Sequence, residues 1–178
     1  MLKTLALIVL GLVLAGGAVV AYAAATRPDV FQVVRSTLIQ APPDRIFPLI
    51  NDFHRWTEWS PYETKDADLK RVYGGAESGV GATYGWEGKN TGTGTMEIVE
   101  SATPSRLTIK LDFTRPFKAS NIVDYTLVPE VGGTRVTWDI HGPNALIGKV
   151  ISLFIDMDRM VGGDFETGLA NLKTVAEK

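Results

Sequence analysis

Residues 106–113, RLTIKLDF, alternate apolar and polar side chains without interruption. Successive side chains of a β-strand point to opposite faces, so the apolar side chains share one face and the polar ones share the other. One apolar face and one wet face are typical of an antiparallel sheet that covers a core on one side. The stretch therefore predicts a half-buried antiparallel strand with Leu107, Ile109, Leu111 and Phe113 facing inward.

Segments on both sides of this strand repeat the alternation. Turns rich in glycine and proline separate them, which predicts a meander of neighbouring antiparallel strands. The inner face of the predicted sheet is broad and rich in aromatic side chains. The segments are GVGATYGWEG (79–88), GTGTMEIVE (92–100), NIVDYTLV (121–128) and TRVTWDI (134–140), with VFQVVRSTLIQ (30–40) as an earlier strand.

An aromatic cluster lies between the first strand and the meander. APPDRIFPLIN, residues 41–51, predicts a short helix with proline in its first turn. RWTEWSPYE, residues 55–63, then places large aromatic side chains at a spacing of three. We expect Trp56 to pack beneath the short helices, and Trp59 and Tyr62 to lie nearer the mouth of a cavity.

The tail, residues 144–178, changes to a helical period. Apolar side chains recur at steps of three or four, which predicts a long helix lying across the sheet. Gly162 and Gly163 interrupt it, and this indicates close packing against a neighbour, a break between two helices, or a hinge. The apolar stripe consists of Phe154, Met157, Val161, Phe165, Leu169 and Leu172.

The N-terminal residues 5–25 are uncharged and mostly apolar. A helix needs about 20 such residues to cross a bilayer, whereas the core of a signal peptide has roughly 7 to 15, so a transmembrane anchor is favoured. A cleaved signal peptide is the alternative, because residues 21–23 form a small-x-small cleavage pattern. We expect residues 1–28 to be the anchor or signal peptide and residues 29–178 to form one domain.

Charge distribution gives the orientation and excludes one class of partner. Lys3 precedes the apolar run, so the positive-inside rule places the N-terminus in the cytoplasm and the domain on the extracytoplasmic or periplasmic side. Cleavage would instead give a secreted domain. The net charge is −2 and basic residues are scattered. These features predict no nucleic-acid partner.

Residues for covalent or metal chemistry are scarce. The chain of 178 residues contains no cysteine, and its two histidines lack the spacing of metal ligands. No serine lies in a G-x-S-x-G turn. The sequence therefore predicts no metal, no cofactor and no assigned catalytic residue, and it leaves the oligomeric state open.

The order of these elements and several separated motifs resemble the polyketide cyclase/dehydrase-like branch of the SRPBCC superfamily. The resemblance covers Val30 to Lys178 and implies an α+β helix-grip (START-like) fold, preceded here by one transmembrane helix. It also implies a hydrophobic cavity between a curved antiparallel sheet and a C-terminal helix, as in relatives that mostly bind lipids, sterols or polyketides. The motifs are APPDRIFPLINDFHRWTEWSPYE (41–63), GVGATYGWEG (79–88), GTGTMEI (92–98), GTRVTW (133–138) and GDFETGLANLK (163–173).

We expect the ligand to lie between the sheet and the helix, because one helical stripe cannot bring all the large inward side chains into mutual contact. The hydroxyl groups of Tyr84 and Tyr125 and the amide of Asn121 are expected to fix one polar end of it. The predicted lining residues are Trp59, Tyr62, Tyr84, Trp86, Met96, Ile109, Leu111, Asn121, Tyr125, Trp138, Met157, Val161 and Phe165.

Three functions are compatible with this sequence. The favoured one is a membrane-anchored protein that binds a hydrophobic small molecule, above all a lipid, without transforming it. The second is an enzyme of the polyketide cyclase/dehydratase kind, which would need a general acid or base at the cavity wall. The third is an interaction or stress-response module with a filled core.

Overall fold

The computed structural model describes residues 2–178. The helices are α1 (Leu2–Thr26), α2 (Pro43–Asn51), α3 (Leu146–Ile151) and α4 (Met157–Ala176), with 3₁₀ helices at Phe53–Glu58 and Pro61–Thr64. The strands are β1 (Val30–Ile39), β2 (Lys70–Gly75), β3 (Ala82–Glu87), β4 (Thr93–Ala102), β5 (Arg106–Arg115), β6 (Ala119–Glu130) and β7 (Gly133–Pro143).

The seven strands form one curved antiparallel sheet in the order β1-β7-β6-β5-β4-β3-β2. Strands β2 to β7 are a meander, and β1 returns to pair with β7. On the inner face, Leu107 is opposite Tyr125, and Trp138 lies between Tyr125 and Arg35. Helix α4 packs along β1 on this face. The α+β helix-grip prediction is confirmed.

Strand β5 has the faces that its alternation predicts. Leu107, Ile109 and Leu111 are buried on the inner face, while Phe113 is half-buried near the end of the strand. Thr108, on the opposite face, is also buried. Its hydroxyl has a partner there, since it donates to Oδ1 of Asp124 at 2.6 Å. The period of two therefore assigns the faces correctly.

The short helices form a third layer that fills the core from the side. The indole Nε1 of Trp56 donates to the carbonyl of Ile50 at 3.0 Å, and that of Trp59 donates to the carbonyl of Leu49 at 2.9 Å. Trp56 is 4% exposed and Trp59 is 2% exposed. The expectation that Trp59 lies near a cavity mouth is wrong, because its hydrogen bond to α2 holds the ring in the core.

The tail contains two helices rather than one long helix. The break falls at residues 152–156, where Asp156 accepts a hydrogen bond from the backbone N–H of Arg159 at 3.0 Å and caps α4. A side-chain oxygen at this position satisfies a backbone donor that has no partner within the helix. Phe154 was expected on the apolar stripe, but it lies in the break and is 77% exposed.

Gly162 makes room for an arginine from the sheet. A Cβ atom at this position would lie 2.0 Å from Nη2 of Arg35. Arg35 extends from the inner face of β1 and forms ion pairs of 2.8 Å with both Asp158 and Glu166 of α4. The glycine thus serves close packing between sheet and helix, and the helix continues through it.

We predict that Arg35→Met lowers the melting temperature in a pH-dependent way. The hydrogen bonds from Arg35 hold the pKa of Asp158 below its ordinary value. Because the folded pKa lies below the unfolded value of about 3.9, the pair stabilises the fold above that pH, and the stabilisation is lost as the pH falls through the folded pKa. Thermal unfolding should therefore show a modest difference between variant and parent at neutral pH, because the carboxylates of Asp158 and Glu166 are 64% and 65% exposed, and a smaller difference at about pH 2.

A matched control is Arg55→Met, which removes the guanidinium of the exposed pair between Arg55 and Glu58. This pair joins residues of one short helix, so its loss should lower the melting temperature less than the loss of the two pairs that join β1 to α4. An effect of Arg35→Met that stays constant across the pH range would contradict the assignment to Asp158.

Hydrogen bonds hold the junction between α1 and the domain against the segment that follows β7 and against α3. The backbone N–H of Asn144 donates to the carbonyl of Asp29 at 2.8 Å, and its side-chain amide donates to the carbonyl of Pro28 at 3.0 Å. Lys149 of α3 bonds the carboxylate of Asp29 at 2.5 Å. Helix α1 also contacts α3, and Ala23 is fully buried. The end of α1 therefore has a defined place beside α3.

Candidate functional site

The centre of the predicted cavity is filled by aromatic rings. Trp138 stacks on Phe165 of α4 with centroids 4.0 Å apart, and it meets Tyr125 at 5.1 Å and Trp59 at 5.7 Å. Ile109 is fully buried nearby on the inner face. The expectation that these rings cannot all meet is wrong here, because the 3₁₀ helices bring a third layer. The middle of the sheet is therefore a packed core, as the third hypothesis, an interaction or stress-response module, would require.

Two hydrogen-bond donors in this centre have no partner among the described residues. They are the hydroxyl of Tyr125 and Nε1 of Trp138. Burial raises the pKa of Tyr125 well above its ordinary value, so its hydroxyl stays protonated at physiological pH. Both groups can therefore donate a hydrogen bond as neutral groups, and the hydroxyl of Tyr125 can also accept one.

Tyr84 belongs to a buried polar cluster that the sequence analysis missed. Its hydroxyl donates to Oε1 of Glu63 at 2.7 Å, and Nε of Arg71 donates to Oε2 of Glu63 at 2.5 Å. The side chain of Glu63 is 5% exposed. Burial and the bond to Glu63 raise the pKa of Tyr84. The hydroxyl of Tyr84 is thus engaged within the protein.

The remaining predicted residues lie toward one end of the inner face, where burial decreases. Met96, Leu111 and Asn121 are on neighbouring strands at the same level and are less completely buried than the central rings. Half-buried side chains continue this region, with Trp86 in edge contact with Phe113 at 5.4 Å. The half-buried members of the predicted set are Tyr62, Trp86, Met157 and Val161.

An open groove of about 620 Å³ lies at this end, between the start of β1 and the segment that leads into α4. We call it the β1 groove. Its volume is within the range of about 300 to 1,000 Å³ that small-molecule sites occupy. Met157 is the predicted residue that lines it. The wall consists of Arg27, Pro28, Val30, Phe31, Gln32, Val33, Asn144, Ser152, Leu153, Phe154, Ile155, Asp156, Met157 and Asp158.

The position of the β1 groove corrects the predicted cavity. The ring cluster fills the middle of the sheet, so open space remains at the β1 edge. The alternation of β1 could have indicated Phe31 and Val33, since both point to the inner face with Arg35. Residues 152–156 were missed because the sequence analysis treated the tail as one long helix. In the structure, these residues separate α3 from α4. Ligand binding by the other predicted residues stays a prediction.

Most polar groups on the wall of the groove already have partners within the protein. Asp158 is bound by Arg35, and Asp156 caps α4. The amide of Gln32 donates to Oδ2 of Asp139 at 2.8 Å, and that of Asn144 donates to the carbonyl of Pro28. The wall as a whole is about as polar as it is apolar, and the side chains left without partners include the apolar Phe31, Leu153 and Phe154, which can contact a molecule with an apolar body.

A curved antiparallel sheet against a C-terminal helix, with an open groove at their end, defines a protein of the helix-grip fold. The chain belongs to the family described as polyketide cyclase/dehydrase and lipid transport, whose sequence profile matches residues 30–177. The matched range starts at the first residue of β1 and leaves α1 outside.

Solved structures with low sequence identity share the fold. A protein from Chromobacterium violaceum has a TM-score of 0.59 and 16% identity, covering 85% of this chain and 99% of its own. The di-domain ARO/CYC StfQ of the steffimycin biosynthetic pathway has a TM-score of 0.64 and 11% identity, covering 83% of this chain and 51% of its own.

The di-domain ARO/CYC BexL of the BE-7585A biosynthetic pathway has a TM-score of 0.64 and 12% identity, covering 89% of this chain and 53% of its own. This chain therefore spans about half of each di-domain protein. Among curated proteins, none matches the chain. At these identities the likeness extends to the fold.

Proposed function

We propose that this protein binds a lipid or a similar hydrophobic small molecule in the β1 groove while α1 holds it in a membrane. The observation that carries the proposal is the place of the groove, whose wall begins at Arg27 and Pro28, directly after the last residue of α1. The family description includes lipid transport, which supports the same ligand class.

The physical chemistry of lipid transfer favours such a site. Moving an acyl chain out of a bilayer exposes apolar surface, at a cost of about 0.8 kcal/mol for each CH₂ group that meets water. A groove beside the end of a membrane span would receive the chain without that exposure. Helix α1 is long and apolar enough for a span, although a signal sequence would meet the same criteria.

We propose binding rather than catalysis. An enzyme would need a general acid or base that can reach the ligand. The two carboxylates on the groove wall are engaged, Asp158 with Arg35 and Asp156 at the cap of α4. The hydroxyl of Tyr84 is engaged with Glu63, and that of Tyr125 is enclosed among aromatic rings. With Lys3 on the cytoplasmic side, the binding domain faces the periplasm or the exterior.

Met157→Trp tests the groove directly. Met157 lies in the first turn of α4 on the groove wall, so the larger indole should occupy space that a ligand needs. We expect lipid that co-purifies with the full-length protein to fall about tenfold, equivalent to about 1.4 kcal/mol of lost affinity. Native mass spectrometry of protein extracted from membranes measures bound lipid, and the intact mass reports the N-terminus.

Val131→Trp is the matched control, because Val131 lies fully exposed in the turn between β6 and β7. It should retain the lipid of the parent protein. Equal lipid in both variants would place the ligand outside the groove. A product that begins near Ala24 and is found in the soluble fraction would show signal cleavage and overturn the anchor.

A further inference from the structure

The register of the sheet shows which end of the domain lies next to α1. Strand β1 begins four residues after α1 ends, and its first residue, Val30, pairs with Pro143 at the end of β7. The start of β6 lies beside the end of β7, and it also pairs with the end of β5, where Phe113 is opposite Ala119. The hairpin at residues 116–118 and the connection from β7 to α3 are therefore at the same end. We call it the span-proximal end.

Exposed large apolar side chains are distributed unequally between the two ends. In residues 27–178, those on the rest of the domain are valines, such as Val80 and Val131 in turns at the opposite end. Phenylalanine, leucine, isoleucine and methionine are exposed at the span-proximal end. Contiguous exposed apolar surface marks an interaction site, whereas scattered residues do not. The residues are Phe117, Leu146, Ile147, Phe154, Ile155 and Met160.

Three of these side chains, Phe117, Phe154 and Ile155, belong to two separate projections. Phe117 is 54% exposed in the hairpin between β5 and β6, and Lys118 follows it directly. Phe154 and Ile155 protrude from the turn between α3 and α4, where they also line the β1 groove. Both projections thus lie at the end of the domain to which the groove belongs.

We propose that the span-proximal end docks into the surface of the lipid bilayer that holds α1, with Phe117 and the Phe154–Ile155 turn in the apolar boundary. The inference rests on the proposed function, because α1 must be in the membrane. The junction at residues 27–29 is tied to Asn144 and Lys149, so the two projections are held at the level where α1 leaves the bilayer.

Continuity with α1 selects a bilayer as the occupant. Helix α1 contacts α3, so the exposed side chains Leu146 and Ile147 are next to a segment that is itself apolar. Lys118 directly follows the exposed phenylalanine of the hairpin, whereas Arg115 before it is engaged by Glu87 at 3.3 Å and by Thr93. Cationic side chains beside an aromatic ring are typical of segments that bind anionic lipid head groups. Docking in this way places the β1 groove at the membrane surface, where an acyl chain can enter.

The absence of cysteine from the sequence permits a direct test with single labels. Phe117→Cys and Phe154→Cys variants of the full-length protein carry an environment-sensitive fluorophore in vesicles of phosphatidylcholine with a minor share of phosphatidylglycerol. Nitroxide groups on the lipid chains quench only labels that enter the bilayer. Val131→Cys, at the opposite end, is the matched control, and Leu12→Cys, in the middle of α1, reports the span.

We expect blue-shifted emission and nitroxide quenching at Phe117 and Phe154, as at Leu12, and water-like emission without quenching at Val131. Quenching at Leu12 with none at Phe117 and Phe154 would overturn the docking and leave the anchor intact. Blue-shifted labels at Phe117 and Phe154 that nitroxide lipids do not quench would overturn it in favour of a protein partner or a second copy. Quenching at Phe117 and Phe154 without quenching at Leu12 would show a domain that binds bilayers without its span, and it would overturn both the anchor and the docking beside it.

Discussion

Replacing Trp138 by alanine should lower the free energy of unfolding by about 3 to 5 kcal/mol, the usual cost of deleting a buried tryptophan. The ring is buried between the sheet and α4, where it stacks on Phe165 at 4.0 Å and touches Tyr125 and Trp59. Deleting it removes contacts on several sides at once, and the layers on either side cannot close the gap without breaking the sheet register. Urea titration of the full-length protein in detergent, followed by near-ultraviolet circular dichroism, measures the change.

Three further variants test whether the loss of stability comes from the packed centre. Trp59→Ala should cost about as much as Trp138→Ala, and the double variant should cost less than the sum, because the two rings share a contact. Trp86→Ala is the matched control and should cost less, since Trp86 is half-buried at the open end. A larger loss for Trp86→Ala than for Trp138→Ala would contradict a packed centre.

Glu63→Ala should lower the free energy of unfolding by about 3 kcal/mol, because removing one member of a buried pair leaves its partners unsatisfied. Arg71 and Tyr84 both bond this carboxylate. The expected value is at the low end of the range for such changes, since the side chain of Arg71 is 31% exposed and water can reach it. Chemical denaturation by the same method provides the measurement.

The controls separate burial from charge. Glu63→Gln retains an acceptor for the hydroxyl of Tyr84 and should cost less than Glu63→Ala. Glu58→Ala removes the same side chain from an exposed ion pair with Arg55 and should cost roughly 0.2 to 1 kcal/mol. Equal small losses for Glu63→Ala and Glu58→Ala would show that the Glu63 carboxylate is solvated.

The sequence alone determined the face of each strand and the order of the elements. The alternation in residues 106–113 assigns Leu107 and Ile109 to the core, and the structure buries both. The stripe at Phe165, Leu169 and Leu172 is likewise buried in α4. These properties are local, because a period of two or of 3.6 follows from backbone geometry and one buried face.

Tertiary structure alone decided which part of the inner face is filled and which part is open. Trp59 fills the centre because its indole bonds the carbonyl of Leu49, in a helix that is not adjacent to it in sequence. The guanidinium of Arg35 occupies the space that a side chain at Gly162 would need, and Glu63 joins Arg71 to Tyr84, through contacts between different elements of the fold. Periodicity specifies the direction of a side chain but not the layer that meets it. The place of the β1 groove therefore followed only from how the short helices dock and where the tail breaks.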